Sequence, residues 1–248
     1  MVIQNKDFWE KDAIIATQDV VKKMSDFELF LFQKVVDRSS SLNKVESIKI
    51  FGCGTGREIH GINNFFKPLK IIASDISENM ISKCNQNLES WQIKNLVQTE
   101  ATNAKDYNKL NNEFDLVTIM NSMLTYVPEK KDRITIFKNA FKILKPDATL
   151  VGTVHNQEGT FVKTLYFKFR NFFSVFLGDK VGNRHTGFNG FKVSGYYYDK
   201  STLIKDLTIC GFKNIEVYSL EEFYWQEKAI KYNRKTGYNN LLFIASKP

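Results

Sequence analysis

From about Asp7 to Arg38 apolar residues recur at roughly helical spacing, with Ile14, Val21, Phe27, Leu31 and Val35 on the repeat and neither Gly nor Pro to break it. That pattern predicts helix. Beyond a serine-rich turn at Ser39–Ser41 the pattern changes, and short apolar runs alternate with amphipathic stretches. "SIKIFG" reads as a strand and "GREIHGINNFF" as a helix; "LKIIASD" is a second strand, and "SENMISKCNQNLES" a helix that Ser77 can cap. "NLVQTEA" and "FDLVTIM" follow as strands, then "EKKDRITIFKNAFKIL" as a helix stopped by Pro146, and "ATLVGTVH" as a fifth strand. Late in the chain "STLIKDLTICGF" reads as a helix closed by Gly211, ahead of the strands "NIEVYSL" and "NLLFIAS". Such alternation predicts an α/β fold, a parallel sheet with helices on both faces. The segment from Asn156 to Asp199 interrupts it.

In sheets of this kind the ligand sits beyond the carboxyl ends of the strands, and the first strand-to-helix turn is the usual cradle. Here that turn is "GCGTGRE", with Gly52, Gly54 and Gly56 separated by Cys53 and Thr55. A phosphate-binding P-loop would continue Gly-Lys-Ser/Thr, but Arg57 and Glu58 follow. A dinucleotide fingerprint needs a small residue at its sixth position, which Arg57 occupies. Both phosphate readings fail. The second strand ends in Asp75, nineteen residues after Gly56. In itself Asp75 is equally a good helix cap.

Gly-x-Gly-x-Gly followed by an acid at the end of the second strand resembles class I, Rossmann-like S-adenosylmethionine-dependent methyltransferases of the small-molecule type. The resemblance implies that Gly52, Cys53, Gly54, Thr55 and Gly56 pass under the methionine part of the cofactor, and that Asp75, beside Ile76, accepts hydrogen bonds from both ribose hydroxyls. After the third strand, "ATNAKDY" puts Asn103 and Ala104 where many members have Asp-Ala reading the adenine amino group. "FDLVTIMNSMLTYV" puts Asn121, Ser122 and Met123 against the cofactor. Pro146-Asp147-Ala148 replaces a common Pro-Gly-Gly, and "GFKNIEVYSL" and "NLLFIASKP" resemble the last two strands. An acid common two residues before the first glycine is absent; Ile50 stands there.

The resemblance runs from about Val45 to Pro248 and implies a doubly wound, mostly parallel seven-stranded sheet with an antiparallel last strand. It implies one methyltransferase domain over residues 1–248: an N-terminal helical cap (1–44), a cofactor-binding core (45–155), an inserted lid (156–199) and the C-terminal part of the core (200–248).

Composition adds limits. With 248 residues and 43% hydrophobic content the chain can bury a full core unaided. The isolated Cys53, Cys84 and Cys210 suggest neither disulfides nor a metal cluster. No apolar stretch suits a signal or a membrane span, so a cytoplasmic protein is expected. The formal charge of +8 is concentrated in two places. Residues 156–195 hold six cations against two acids, and residues 226–248, including Arg234 and Lys235, hold five against one. Either a solvated basic face or attraction for an anionic partner follows.

Methyl transfer depends chiefly on alignment, so catalytic groups are less legible than the cofactor loop. His155 closes the fifth strand on the ligand edge and is the first candidate for a base or substrate contact; Tyr126 in "MLTYV" faces the same region. His60 reads as a surface or packing residue. His185, with Arg184 in "GNRHTGFNG" and Tyr197 in the Tyr196–Tyr198 run, suits a loop that grips a polar or anionic acceptor. "FVKTLYFKFRNFFSVFL", Phe161 to Leu177, interleaves seven aromatics with Lys163, Lys168 and Arg170. It reads first as one lid helix packing its phenylalanines on the core, then as part of an apolar acceptor pocket, then as a helix touching anionic lipid. No nucleic-acid module is visible. Phe8 and Trp9 lie in the N-terminal element, which together with the insertion would cover the site from two sides. Methyl transfer to nitrogen or oxygen of a small metabolite is the reading these observations favour. A lipid or lipid-linked acceptor and a non-catalytic cofactor-binding protein are the rivals; neither the acceptor nor the oligomeric state is written in the chain.

Overall fold

The computed structural model describes residues 2–19, 23–38, 44–109, 111–233 and 239–248. Strands β1 (Val2–Ile3), β2 (Ser47–Phe51), β3 (Lys70–Asp75), β4 (Val97–Ala101), β5 (Phe114–Ile119), β6 (Leu144–His155), β7 (Asn183–Thr186), β8 (Lys192–Tyr196), β9 (Lys213–Ser219) and β10 (Asn240–Ser246) form two sheets. The larger has seven strands in the order β4-β3-β2-β5-β6-β10-β9, and β10 runs antiparallel to both neighbours. Strand order reverses between β2 and β5, which opens a crevice at their carboxyl ends.

Alternation along the strands builds a core on each face. Leu242 and Ile244 of β10 join one, Leu241, Phe243 and Ala245 the other. The first face is covered by α3 (Asp26–Arg38), α4 (Arg57–Phe66), α5 (Glu78–Ser90) and α10 (Leu220–Lys228), through residues such as Leu31, Ile59, Leu88 and Phe223. The second is covered by α6 (Lys130–Ile143) and α9 (Lys200–Ile209), through Phe137 and Leu203.

Three expectations need correction. The N-terminal helix is broken into α1 (Asn5–Trp9), α2 (Asp12–Asp19) and α3, while Val21 and the turn at Ser39–Ser41 lie outside the described residues. The first break lets Glu10 reach α5, where its carboxylate accepts the N–H groups of Glu78 (2.8 Å) and Asn79 (3.2 Å), satisfying helix-terminal donors. Pro146 does not stop α6, which ends at Ile143; it lies inside β6, where the pairing with β5 shifts register and Asp147 takes a positive φ. Proline is tolerated there because an irregular pair needs no ladder N–H. The Phe161–Leu177 segment divides at Phe173 into α7 (Phe161–Phe172) and α8 (Ser174–Leu177), and its phenylalanines do not pack on the core apart from Phe167.

The inserted hairpin β7–β8 is antiparallel, and β1 adds to it parallel, Val2 opposite Lys192 and Ile3 opposite Val193. The N-terminal element and the insertion therefore share one small sheet above the crevice. Among the described residues no helix is long and apolar enough to cross a membrane.

Candidate active site

The β2–α4 turn is held to the end of β3 through its backbone. Gly52 and Cys53 N–H both donate to Ser74 O, at 2.7 and 3.0 Å. Gly54 N–H donates to Asp75 Oδ2 at 2.9 Å, and Ser77 N–H to Asp75 Oδ1 at 3.0 Å. Asp75 thus ties two loops together, while the cap of α5 is Ser77, which accepts Met80 N–H. Burial pushes the Asp75 carboxyl above its ordinary value, against the pull of these N–H groups. Gly54 has φ +52°, and a Cβ built on it would enter open space. A Cβ on Gly52 would come within 2.6 Å of Met123 Cγ.

The resulting cleft is lined by Gly52, Gly54, Asp75, Ile76, Asn103, Ala104 and Asn121, residues the sequence singles out for the cofactor, and by Tyr126, which the sequence assigns to the acceptor side. Cys53, Thr55, Gly56 and Ser122 turn elsewhere. Cys53 lies against Cys84, its thiol pushed up by that contact and by burial. Thr55 O accepts from Asn87, and a Cβ on Gly56 would press Cys84 Sγ at 3.0 Å. Ser122 N–H donates to Thr153, and its hydroxyl is buried. Asn103 Oδ1 already accepts Lys105 N–H at 3.2 Å, leaving its oxygen one further lone pair toward the cleft.

Met123 and Trp9, which the sequence also points to, line it as well, and residues not singled out complete it: Asn5, Gln18, Met80, Thr102 and Val127. Trp9 and Tyr126 meet edge to face at 4.8 Å, and Phe8 stacks on Tyr126 at 6.0 Å. Ser77 Oγ donates to Trp9 O at 3.2 Å, which fixes the cap on the rim. Arg57, where a dinucleotide fold needs a small residue, instead grips both oxygens of Glu28 (2.6 and 2.8 Å) and donates to Asn121 Oδ1 at 2.5 Å. Burial raises the Glu28 carboxyl, and Arg57 with Ser25 more than reverses this. Anchored on α3 through Glu28, the arginine thereby positions Asn121 in the cleft.

A second cavity, of about 570 Å³, adjoins the first beyond Tyr126. Its walls include His155, Lys163, Arg184, His185, Lys192 and Tyr197. Three of these, Lys163, Arg184 and Lys192, are basic, and no carboxylate is among the lining residues. Tyr197 packs at a tilt against Phe167 (5.4 Å) and lies 5.7 Å from both the Lys163 ammonium and the Arg184 guanidinium. Burial, with Arg184 nearby, lowers Lys163 to about 8. His155 is held neutral, at about 4, by burial and then by Lys163, and its enclosed Nδ1 has no hydrogen-bond partner among the described residues. Tyr197 alone of the tyrosine run lines the cavity. Tyr198 is buried, accepting from Arg133 Nε (2.9 Å) and donating to Asp206 (3.2 Å), while Arg133 stacks on Tyr196. His60 packs on Trp91, away from both spaces. Among the described residues no cluster of metal-ligating side chains occurs.

Comparison with known proteins agrees with this geometry. A family model described as a methyltransferase domain matches residues 50–147. A Bacillus subtilis protein named as a methyltransferase, YqeM, is 32% identical over 117 residues, 47% of this chain and 45% of its own length. The chain thus spans about half of that relative. Among solved structures, an S-adenosylmethionine-dependent methyltransferase of Methanosarcina mazei superposes with TM-score 0.61 at 21% identity, over 83% of this chain and 94% of that one. Phosphoethanolamine N-methyltransferase 2 of Haemonchus contortus, solved with phosphomonomethylethanolamine and S-adenosylhomocysteine, gives TM-score 0.67 at 16% identity over 100% and 61%. Residues 50–147 are thus similar to a methyltransferase domain, and the fold is that of class I, Rossmann-like S-adenosylmethionine-dependent methyltransferases. S-adenosylmethionine is the cofactor of that class, and the cleft fits it. The space left by the missing Gly54 side chain, the carboxylate of Asp75 and the buried Asn5 Oδ1, which has no partner among the described residues, all face where its adenosyl and methionine parts would be held.

Proposed function

We propose that the protein transfers a methyl group to a nitrogen or oxygen of a small metabolite that carries negative charge. One observation supports this most: a glycine-loop cleft and a cationic cavity without carboxylates meet at a wall made by Tyr126 and His155. The acceptor of the Haemonchus neighbour, a phosphorylated amine, has the same chemistry. We further read residues 1–248 as one domain, with cap, core, lid and C-terminal core divided at 44, 155 and 199.

S-adenosylmethionine, when bound, supplies a methyl group activated by a cationic sulfur. Asp75 and Asn103 hold the adenosyl part, and Gly52 and Gly54 let the backbone approach it. Lys163 and Arg184 receive the negative charge of the acceptor, with Lys192 and His185 at the rim. Tyr126 and Trp9 exclude water from the crossing point. His155, neutral at physiological pH, accepts a hydrogen bond from the acceptor N–H or O–H and aims its lone pair along the line of displacement. At about 4 it is a weak base, so it orients rather than retains the proton.

Calorimetric titration with S-adenosylmethionine, S-adenosylhomocysteine, NAD and ATP tests the first half. Binding of the two adenosyl-sulfur compounds alone supports it, and binding of NAD or ATP in their place overturns it. Turnover of labelled cofactor against phosphorylated and carboxylated amines and alcohols tests the second. Preference for uncharged acceptors, unaffected by Arg184→Ala, would refute the anionic reading, and binding without any turnover would favour the non-catalytic rival.

A further inference from the structure

Helix α7 wears its apolar side outward. At about 100° per residue, Phe161, Val162, Leu165, Phe169 and Phe172 share one arc. They are 80, 75, 55, 65 and 80% exposed, and α8 continues the surface with Val175 at 90% and Phe176 at 85%. Lys163 and Phe167, on the opposite side, are the buried pair, and Arg170 turns inward to donate to Val181 O at 2.7 Å. Lys163 faces the cavity and the phenylalanine side faces out. A contiguous apolar surface of this extent marks an interaction site rather than ordinary exposure.

Charge selects the occupant. From Phe161 to Leu177 there is no carboxylate. Lys168 is exposed beside the apolar arc and Lys180 just beyond α8, while the neighbouring Asp179 is taken by Lys130 at 2.6 Å. In a two-fold pairing of this face with a second copy, Lys168 would meet a segment that has cations and no acid to neutralise them. A bilayer containing anionic lipid offers an apolar seat for the rings and charge for the lysines. We propose that the outer face of α7 and α8 docks this protein on an anionic membrane surface, with Phe161, Phe169, Phe172 and Phe176 at the boundary between head groups and acyl chains. Thr160 and Lys163, at the start of the same helix, line the cationic cavity, so docking holds that cavity close to the bilayer.

Co-sedimentation with vesicles of phosphatidylcholine, alone or mixed with phosphatidylglycerol, tests this without reference to the acceptor. The protein is expected on the mixed vesicles and not on the neutral ones. Phe172→Glu with Phe176→Glu abolishes binding, and each of Lys168→Glu and Lys180→Glu weakens it about fivefold. Calorimetric cofactor affinity stays unchanged in all of these variants, which separates lost docking from lost folding. Absence from both vesicle types overturns the proposal, as does binding that survives the two Phe→Glu changes. Sedimentation velocity adds a third arm: a dimer abolished by Phe172→Glu, in protein that ignores vesicles, assigns the face to a second copy instead.

Discussion

The rings of Tyr126 and His155 meet at 62° with their centroids 6.2 Å apart, and this pair is the partition between the cofactor cleft and the cationic cavity. Tyr126 is held from the cap side by Phe8 and Trp9, and His155 from the lid side by Tyr197 at 5.1 Å. Both side chains are thus braced by elements outside the central sheet. A misplacement of either is felt at the crossing point.

His155 should show no imidazole titration between pH 5 and 8 by NMR, since its ionisation lies near 4. His155→Gln should lower kcat about tenfold to a hundredfold, the scale of one positioned hydrogen bond. Cofactor affinity should not change. A rate profile with an essential ionisation near 6.5 that His155→Gln removes would contradict this assignment.

Asp75→Ala should weaken S-adenosylmethionine binding by about tenfold to a hundredfold, the cost of charge-assisted hydrogen bonds. Gly54→Val should abolish binding with a smaller loss of stability, because its Cβ enters the cleft and its φ of +52° strains the backbone by roughly 1–2 kcal/mol. Calorimetry and thermal unfolding on the same samples separate the two effects. Equal affinity in either variant would remove the glycine loop from the site.

Glu58, in the first turn of α4, is fully buried, and burial raises it to about 8. The native state therefore holds a proton that the unfolded chain releases near 4.5, and the protein should lose stability as pH rises from about 4.5 to 8, then level off. Glu58→Gln should flatten that slope, which for one proton is at most about 1.4 kcal/mol per pH step of one. Chemical denaturation at pH 5, 7 and 9 is the check; an unchanged slope in the variant would place the effect elsewhere.

Lys163 provides a pH signature for the proposed binding of an anionic acceptor in the cationic cavity. Its ammonium is lowered to about 8 by burial and then by Arg184, so affinity for an anionic acceptor should be full below pH 8 and fall above it. The same shift makes folding stability rise between about pH 8 and the ordinary lysine range, because the unfolded chain binds the proton more tightly there. Lys163→Met should remove both dependences. KM for acceptor measured from pH 6 to 9.5 decides the matter.

Much of this architecture is legible in the chain because its signals are local. Three glycines after an apolar run, and an acid at the next strand's end, specify a turn and a strand terminus with no need of distant information. The cap is different. Asn5, Trp9 and Gln18 reach the cleft only because Glu10 and Trp9 O meet the start of α5 almost seventy residues later, and periodicity carries no trace of that meeting. Arg57 is readable as an obstacle to a dinucleotide, but its grip on Glu28 and Asn121 emerges only once α3 lies beside α4. The insertion shows the clearest limit. Its period reveals two unlike faces and says nothing of which one turns inward.

The pairing of β1 with β8 ties the cover of one ligand to the wall of the other. Val2 and Ile3 precede the cap that lies on the cofactor cleft, and Lys192 stands in the wall of the cationic cavity. Two doors hung on one frame share a hinge. A displacement of this small sheet would therefore act on the cover of the cofactor cleft and on the wall of the cationic cavity together.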